Sequence, residues 1–210
     1  QHDPPALHRA AWRRNPRQEL NIGGDDNRRM SPTSLLDGAA RLVDWGVISA
    51  RGADAASFLH GQLSSDVAHL EASQARLAGY CSAKGRLLAS FIVWPAGGDE
   101  LLLACSADLL LPTLKRLRMF VLRAKCELRD ASAEFPLYGL AGLHATAWLA
   151  AAAPGSAWAR REREGLGAIR LPDAAGTARY LCTVRAAPPL SPLPLEAWRW
   201  LEVASGVARI

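Results

Sequence analysis

Three blocks of this 210-residue chain carry side chains of the types that binding chemistry needs. The first is Gly79-Tyr80-Cys81-Ser82-Ala83-Lys84-Gly85-Arg86-Leu87-Leu88-Ala89-Ser90-Phe91. Here Tyr80 offers an aromatic face, Ser82 a hydroxyl, and Lys84 and Arg86 two cations for an anionic ligand group. The second is Gly61-Gln62-Leu63-Ser64-Ser65-Asp66. Gln62 and Asp66 are suited to holding backbone amides in a loop, and Gln62 can also serve a ligand. The third is Trp198-Arg199-Trp200-Leu201-Glu202, with aromatic faces and a carboxylate. No G-x-x-x-x-G-K-[ST] phosphate loop, G-x-S-x-G elbow or H-E-x-x-H helix occurs, and the five histidines are scattered. Cys81, Cys105, Cys126 and Cys182 fit no zinc or thioredoxin spacing and read as reduced, buried small hydrophobes in a reducing cytoplasm.

The elements that must position these blocks are legible in outline. Leu42–Ala50 reads as a strand, and Gly52 turns the chain into a helix from an Asp54 cap to Leu63, on which His60 reads as a neutral packing residue. Arg76–Ala83 and Arg86–Trp94 read as strands around a Lys84-Gly85 turn, followed by a turn over Pro95–Asp99 and a strand over Glu100–Cys105. Ser106 can cap a helix over Ala107–Leu122, with Leu110, Leu114, Leu117 and Val121 as its apolar stripe. Ala124–Ala131 alternates like a strand.

A shorter second round follows. Pro136–Leu143 reads as a strand and His144–Ala153 as a helix; Leu166–Leu171 and Ala178–Arg185 read as strands. Ala186–Pro194, with four prolines, reads as an extended linker, and Leu195–Ser205 as a helix stopped by Gly206. Local hairpins dominate this order, so the expected class is α+β with largely antiparallel sheets. The expected division is a disordered tail over 1–33, an α+β subdomain over 34–132 and a second, incomplete one over 133–210.

Half the residues are hydrophobic and 21% are charged, as in a globular protein. No segment approaches the roughly 18 apolar residues that span a bilayer, and Gln1–Met30 has no apolar centre that would mark a secretory signal. The net charge of +5 is diffuse: residues 1–29 carry +2 of it, so about 180 residues share +3. That excess reads as a solvated surface, with Lys115–Lys125 the one local basic cluster.

The blocks at 52–67 and 79–91, with the Trp198–Val207 helix, resemble the YgfZ proteins of the folate-binding superfamily. That superfamily includes the aminomethyltransferase (T-protein) of the glycine cleavage system. The resemblance covers about Leu35–Ile210 and is strongest at 42–131 and 195–207. It implies a T-protein-like fold with tetrahydrofolate or a derivative as ligand, in a monomer. Tyr80, Ser82, Lys84, Arg86, Gln62, Trp198 and Glu202 are the implied binding residues. It further implies an accessory role in iron–sulfur cluster assembly or repair, with iron–sulfur client proteins as partners and tRNA modification downstream. A folate-dependent aminomethyl or methyl transferase, and a basic module with weak tRNA contact, stand as alternatives.

The chain departs from the family pattern in three places. Ala89 and Ser90 stand where the aminomethyltransferases carry an acidic pair, so methylene transfer is not expected. Aligning Gly206 puts Ala204 at the place of a family Glu that contacts the pterin, with Glu202 two residues earlier. The family signature Lys-Gly-Cys-[Tyr/Phe]-x-Gly-Gln-Glu is absent from these residues, so the fold is expected to be truncated at its carboxy terminus.

Overall fold

A computed structural model describes residues 36–210; the tail expected over 1–33 lies outside the described residues. In chain order the elements begin with β1 (Gly38–Arg41), β2 (Trp45–Arg51), α1 (Ala55–Gln62), β3 (Arg76–Cys81), β4 (Leu87–Gly97), β5 (Glu100–Ser106) and α2 (Ala107–Arg118). They continue with β6 (Glu127–Asp130), β7 (Leu137–Ala141), α3 (Gly142–Leu149), β8 (Arg160–Arg163), β9 (Leu166–Ala174), β10 (Thr177–Thr183) and α4 (Leu195–Ala204). Two five-stranded sheets result, in the orders β3-β4-β5-β2-β6 and β1-β7-β10-β9-β8, and every pairing between named strands is antiparallel. The expected α+β class with antiparallel sheets is the one observed.

The side-chain alternation of β4 shows how the layers stack. Ala89, Phe91 and Val93 join the core beneath α1 and α2, with Leu59, Leu103, Leu114 and Leu117. Ile92 and Trp94 face the other way, into a core shared with Leu171, Leu181, Trp198 and Leu201 of the second half. Both faces of the first sheet are therefore covered, which explains unbroken apolar runs such as Phe91–Trp94 and Leu101–Cys105. The second sheet buries its opposite face (Leu140, Ala168, Tyr180, Cys182) with Ala145 and Leu149 of α3.

Several local expectations are corrected. Asp54 does not cap α1 with its side chain; its carboxylate accepts from the Lys125 N–H at 2.7 Å, tying the helix start to the segment before β6. Ser106 makes no cap bond either; the Ala107 N–H donates instead to the Asp44 carbonyl at 3.0 Å. Helix α2 stops at Arg118 rather than Leu122. Its end is drawn to β6 by the Arg118 guanidinium, which donates to the Leu128 carbonyl, and Leu122 turns left-handed at φ 36°. His60 is half exposed beside Asp66 rather than packed. Cys81 is exposed, whereas Cys105 and Cys182 are buried as expected; burial pushes the Cys105 thiol up to about 12.

Strands β1 and β8 were not expected. The first, Gly-Ala-Ala-Arg, has no β-branched residue, and the second, Arg-Arg-Glu-Arg, is a polar edge. Strand β1 pairs with β7, so residues 38–41 hydrogen-bond within the second sheet. The proline-bearing linker runs beside it: the Ala39 N–H donates to the Ser191 carbonyl and the Leu193 N–H to that of Ala39, both at 2.9 Å.

Candidate functional site

A narrow cleft opens where the inner faces of the two sheets meet α4. One wall is Trp45 at the start of β2, Leu77 of β3, and Ser90 and Ile92 in the middle of β4. The other is Leu171 of β9 and Arg179 of β10, closed by Glu202 and Ser205 and by Val207, Ala208 and Arg209. Trp198 backs it. Its indole lies flat over β7, and a Cβ at Gly139 would sit 2.5 Å from the ring, so this position needs glycine for that packing.

Arg179 is unusual for a strand residue, at 1% exposure. Its guanidinium lies over the Trp198 ring at 5.4 Å, and Nε donates to the Pro172 carbonyl at 3.1 Å. Nη1 is buried without a hydrogen-bond partner among the described residues. Burial pushes this guanidinium down to about 10, which leaves it charged at neutral pH. Glu202 is affected in the same way, with burial raising its carboxyl above the ordinary range while the Arg209 charge partly offsets the rise. Asp44 behaves oppositely. Burial works against its charge, but hydrogen bonds from Arg209 (2.9 Å) and Arg199 (3.1 Å) hold it below the ordinary range. Arg209 also lies over the Trp45 ring at 4.8 Å and reaches Glu202 at 3.5 Å.

Of the residues marked in the sequence, Glu202 lines this cleft and Trp198 supports it. The others lie elsewhere. Tyr80 is buried in the core under α1, so its ring packs there rather than offering an open face. Lys84 and Arg86 are exposed at the hairpin tip and Ser82 is half-buried beside it. Its turn is closed by bonds from the Ser82 N–H to the Arg86 carbonyl and from the Gly85 N–H to that of Ser82, with Gly85 at φ 76°. Gln62 is half-buried in the last turn of α1. Asp66 shapes its loop, accepting from the Ala68 and His69 N–H groups at 3.1 and 3.3 Å. Sequence reasoning missed Asp44, Trp45, Arg179 and Arg209. One signal was available: an arginine inside the otherwise inward-facing run Thr177–Thr183 marks a charge that must be served in the interior.

Two other surfaces carry charge. A wide polar groove of about 900 Å3 runs between residues 73–77 and 155–161. Its Arg76, Arg160 and Arg161 donate to the carbonyls of Asp66, Ala72 and Ala151, and Arg160 also pairs with Glu162, so these cations serve loop backbone and one ion pair. Around the end of α2, Lys115, Arg116, Arg123 and Lys125 are exposed among exposed Leu111, Met119, Phe120 and Leu122. Among the described residues no group of three or more His, Cys, Asp or Glu could hold a metal, and no helix is long and apolar enough to cross a membrane.

This arrangement of two antiparallel sheets with packed helices is the fold of the aminomethyltransferase T proteins. The glycine cleavage system aminomethyltransferase T from Bartonella henselae matches at TM-score 0.60 and 20% identity, over 84% of this chain and 51% of that one. In sequence the chain is similar to tRNA-modifying protein YgfZ. The protein of that name from Vibrio vulnificus (strain YJ016) is 35% identical over 118 residues, 55% of this chain and 35% of its own length. That from Shigella boydii serotype 4 is 30% identical over 109 residues, 52% of this chain and 33% of its own. The chain thus spans about a third of the length of these curated relatives. No family model matches it.

Proposed function

We propose that this chain binds a reduced folate, tetrahydrofolate or a derivative, in the cleft between its sheets. The observation that carries the reading is the cleft's chemistry in this fold: the Trp45 indole, the Glu202 carboxylate and the buried Arg179 with an unused donor. A folate needs apolar or aromatic surfaces for its rings and carboxylates for the adjacent N–H donors of its pterin edge. The YgfZ-like sequence supports an accessory, YgfZ-type role in tRNA modification. The finer assignment is to iron–sulfur cluster assembly or repair in the cytoplasm, with iron–sulfur proteins as clients. On β4 the cleft wall presents the Ser90 hydroxyl and not a carboxylate; this supports binding rather than methylene transfer.

The test is titration with tetrahydrofolate, following tryptophan fluorescence. Trp45 and Trp198 flank the cleft, so a saturable quench is expected. No saturable change up to millimolar ligand would overturn the reading.

A further inference from the structure

We propose that the outer face of α2, with the turn that follows it, is a peripheral contact for an anionic lipid surface. Its apolar side chains from Leu111 to Leu122 enter the headgroup region, and the cations among them pair with lipid phosphates. None of these residues lines the cleft, so the contact stands apart from the folate reading.

Helix α2 has more apolar surface than its fold uses. Leu110, Leu114 and Leu117 are buried in the core of the first sheet. On the other side Leu111, Lys115, Met119 and Leu122 follow at steps of four, four and three residues, which sets them along one line. Arg116, Phe120 and Arg123 make the neighbouring line at steps of four and three. Leu111, Met119, Phe120 and Leu122 are 66%, 60%, 45% and 87% exposed. Scattered singly, such residues need no explanation; gathered in a row, they mark a contact.

The exposure is built in. Past Arg118 the chain continues in tightened turns, where the N–H groups of Met119, Phe120 and Val121 donate to the carbonyls of Arg116, Leu117 and Arg118. The Arg118 guanidinium fixes this end to β6, and the Lys125 N–H is held by Asp54. Val121 packs against the core beneath, while Phe120 and Leu122 on either side of it stay exposed.

Charge selects the occupant. Lys115, Arg116, Arg123 and Lys125 are exposed and enter no ion pair among the described residues. No acid occurs between Asp108 and Glu127, which flank the segment. A second copy of the same face would set these cations against one another. A nucleic acid would take the cations and leave the aliphatic side chains in water, since Phe120 alone could stack on a base. A protein partner would need carboxylates spaced to interleave with its own apolar contacts. A lipid surface meets both demands in any register. Acyl chains receive the apolar tips, and the long Lys and Arg stems carry their charges back to the phosphates.

The experiment floats the 210-residue chain with vesicles of phosphatidylcholine, alone or mixed with phosphatidylglycerol. At low salt the mixed vesicles should bind at least tenfold more tightly than the neutral ones. Lys115→Gln with Arg123→Gln and Lys125→Gln should weaken that binding about a hundredfold, at roughly fivefold for each cation. Met119→Ser with Leu122→Asn should weaken it about tenfold at an unchanged melting temperature, because Asn accepts the φ of 36° found at Leu122. Leu111→Gln, on regular helix, is the second apolar variant and should act in the same direction. Equal binding to both vesicles, or none to either, would overturn the proposal. So would a loss on removing the cations with none on removing the apolar side chains, which is the mark of a bare charge effect. A single-stranded oligoribonucleotide or polyglutamate bound more tightly than the mixed vesicles, and indifferent to Met119→Ser with Leu122→Asn, would give the face to another polyanion and overturn the lipid assignment.

Discussion

The β3–β4 ribbon contains two regions that its sequence makes look alike and its structure separates. At the tip, Lys84, Gly85 and Arg86 are exposed, and a Cβ at Gly85 would meet no atom within 4 Å. A few residues further along β4, Ser90 is 8% exposed and forms part of the cleft wall opposite Arg179. The tip has charge without enclosure. The strand middle has enclosure, and its partners arrive from distant chain. Enclosure decides which region can bind a ring system, because a charge in open water is screened while one in a dry cleft is not.

The comparison can be broken at the cleft first. Gly139→Ala puts a methyl 2.5 Å from the Trp198 ring. Such overpacking in a filled interior should cost about 3 kcal/mol, read by denaturant unfolding. A cost under about 0.5 kcal/mol would mean that Trp198 is free to move and the cleft floor is soft. Arg179→Met removes the buried charge and keeps the stem volume. Its expected signature is a split: roughly tenfold to hundredfold loss of tetrahydrofolate affinity, as for a lost hydrogen bond to a charged donor, with stability held or raised because an unpaired buried charge has gone. Equal loss of stability and affinity would make Arg179 a structural residue.

Asp44 sharpens the picture through pH. Its folded-state value lies below the ordinary carboxylate value. Its stabilisation is therefore complete above about pH 4 and is lost as pH falls through the lowered folded value. Asp44→Asn should lower stability by about 2 kcal/mol at neutral pH and flatten the acid limb of the melting temperature against pH. An unchanged acid limb would show that the Arg199 and Arg209 contacts add nothing. The smallest effect belongs to the tip: Lys84→Ala with Arg86→Ala should shift stability by no more than about 0.5 kcal/mol and leave tetrahydrofolate affinity unaltered. A tenfold loss would return the site to the tip.

The strands were legible where side-chain chemistry and position agree. The long run of β4 follows from its β-branched and aromatic residues Phe91–Trp94, and Arg76–Cys81 from its place as the other arm of a hairpin whose turn needs the positive φ of Gly85. Strands β1 and β8 were not, because backbone pairing with β7 and β9 makes them and their side chains do not announce it. The cleft was half legible. Glu202 and Trp198 share one helix and could be marked together, but Asp44 meets Arg199 and Arg209 across 155 and 165 residues. Such a meeting is set by how two sheets stack, which no local pattern encodes. Tyr80 shows the converse: an aromatic beside a turn has the right type for stacking on a ligand, and the alternation of β3 turns it into the core instead.

The most direct test of the cleft assignment is a crystal structure of the chain soaked with a stable reduced folate. The account predicts ring density between the sheets, against Trp45 and within hydrogen-bond reach of Arg179 and Glu202, with the 207–209 segment displaced. Ring density at the Lys84–Arg86 tip, with the cleft unchanged, would contradict it.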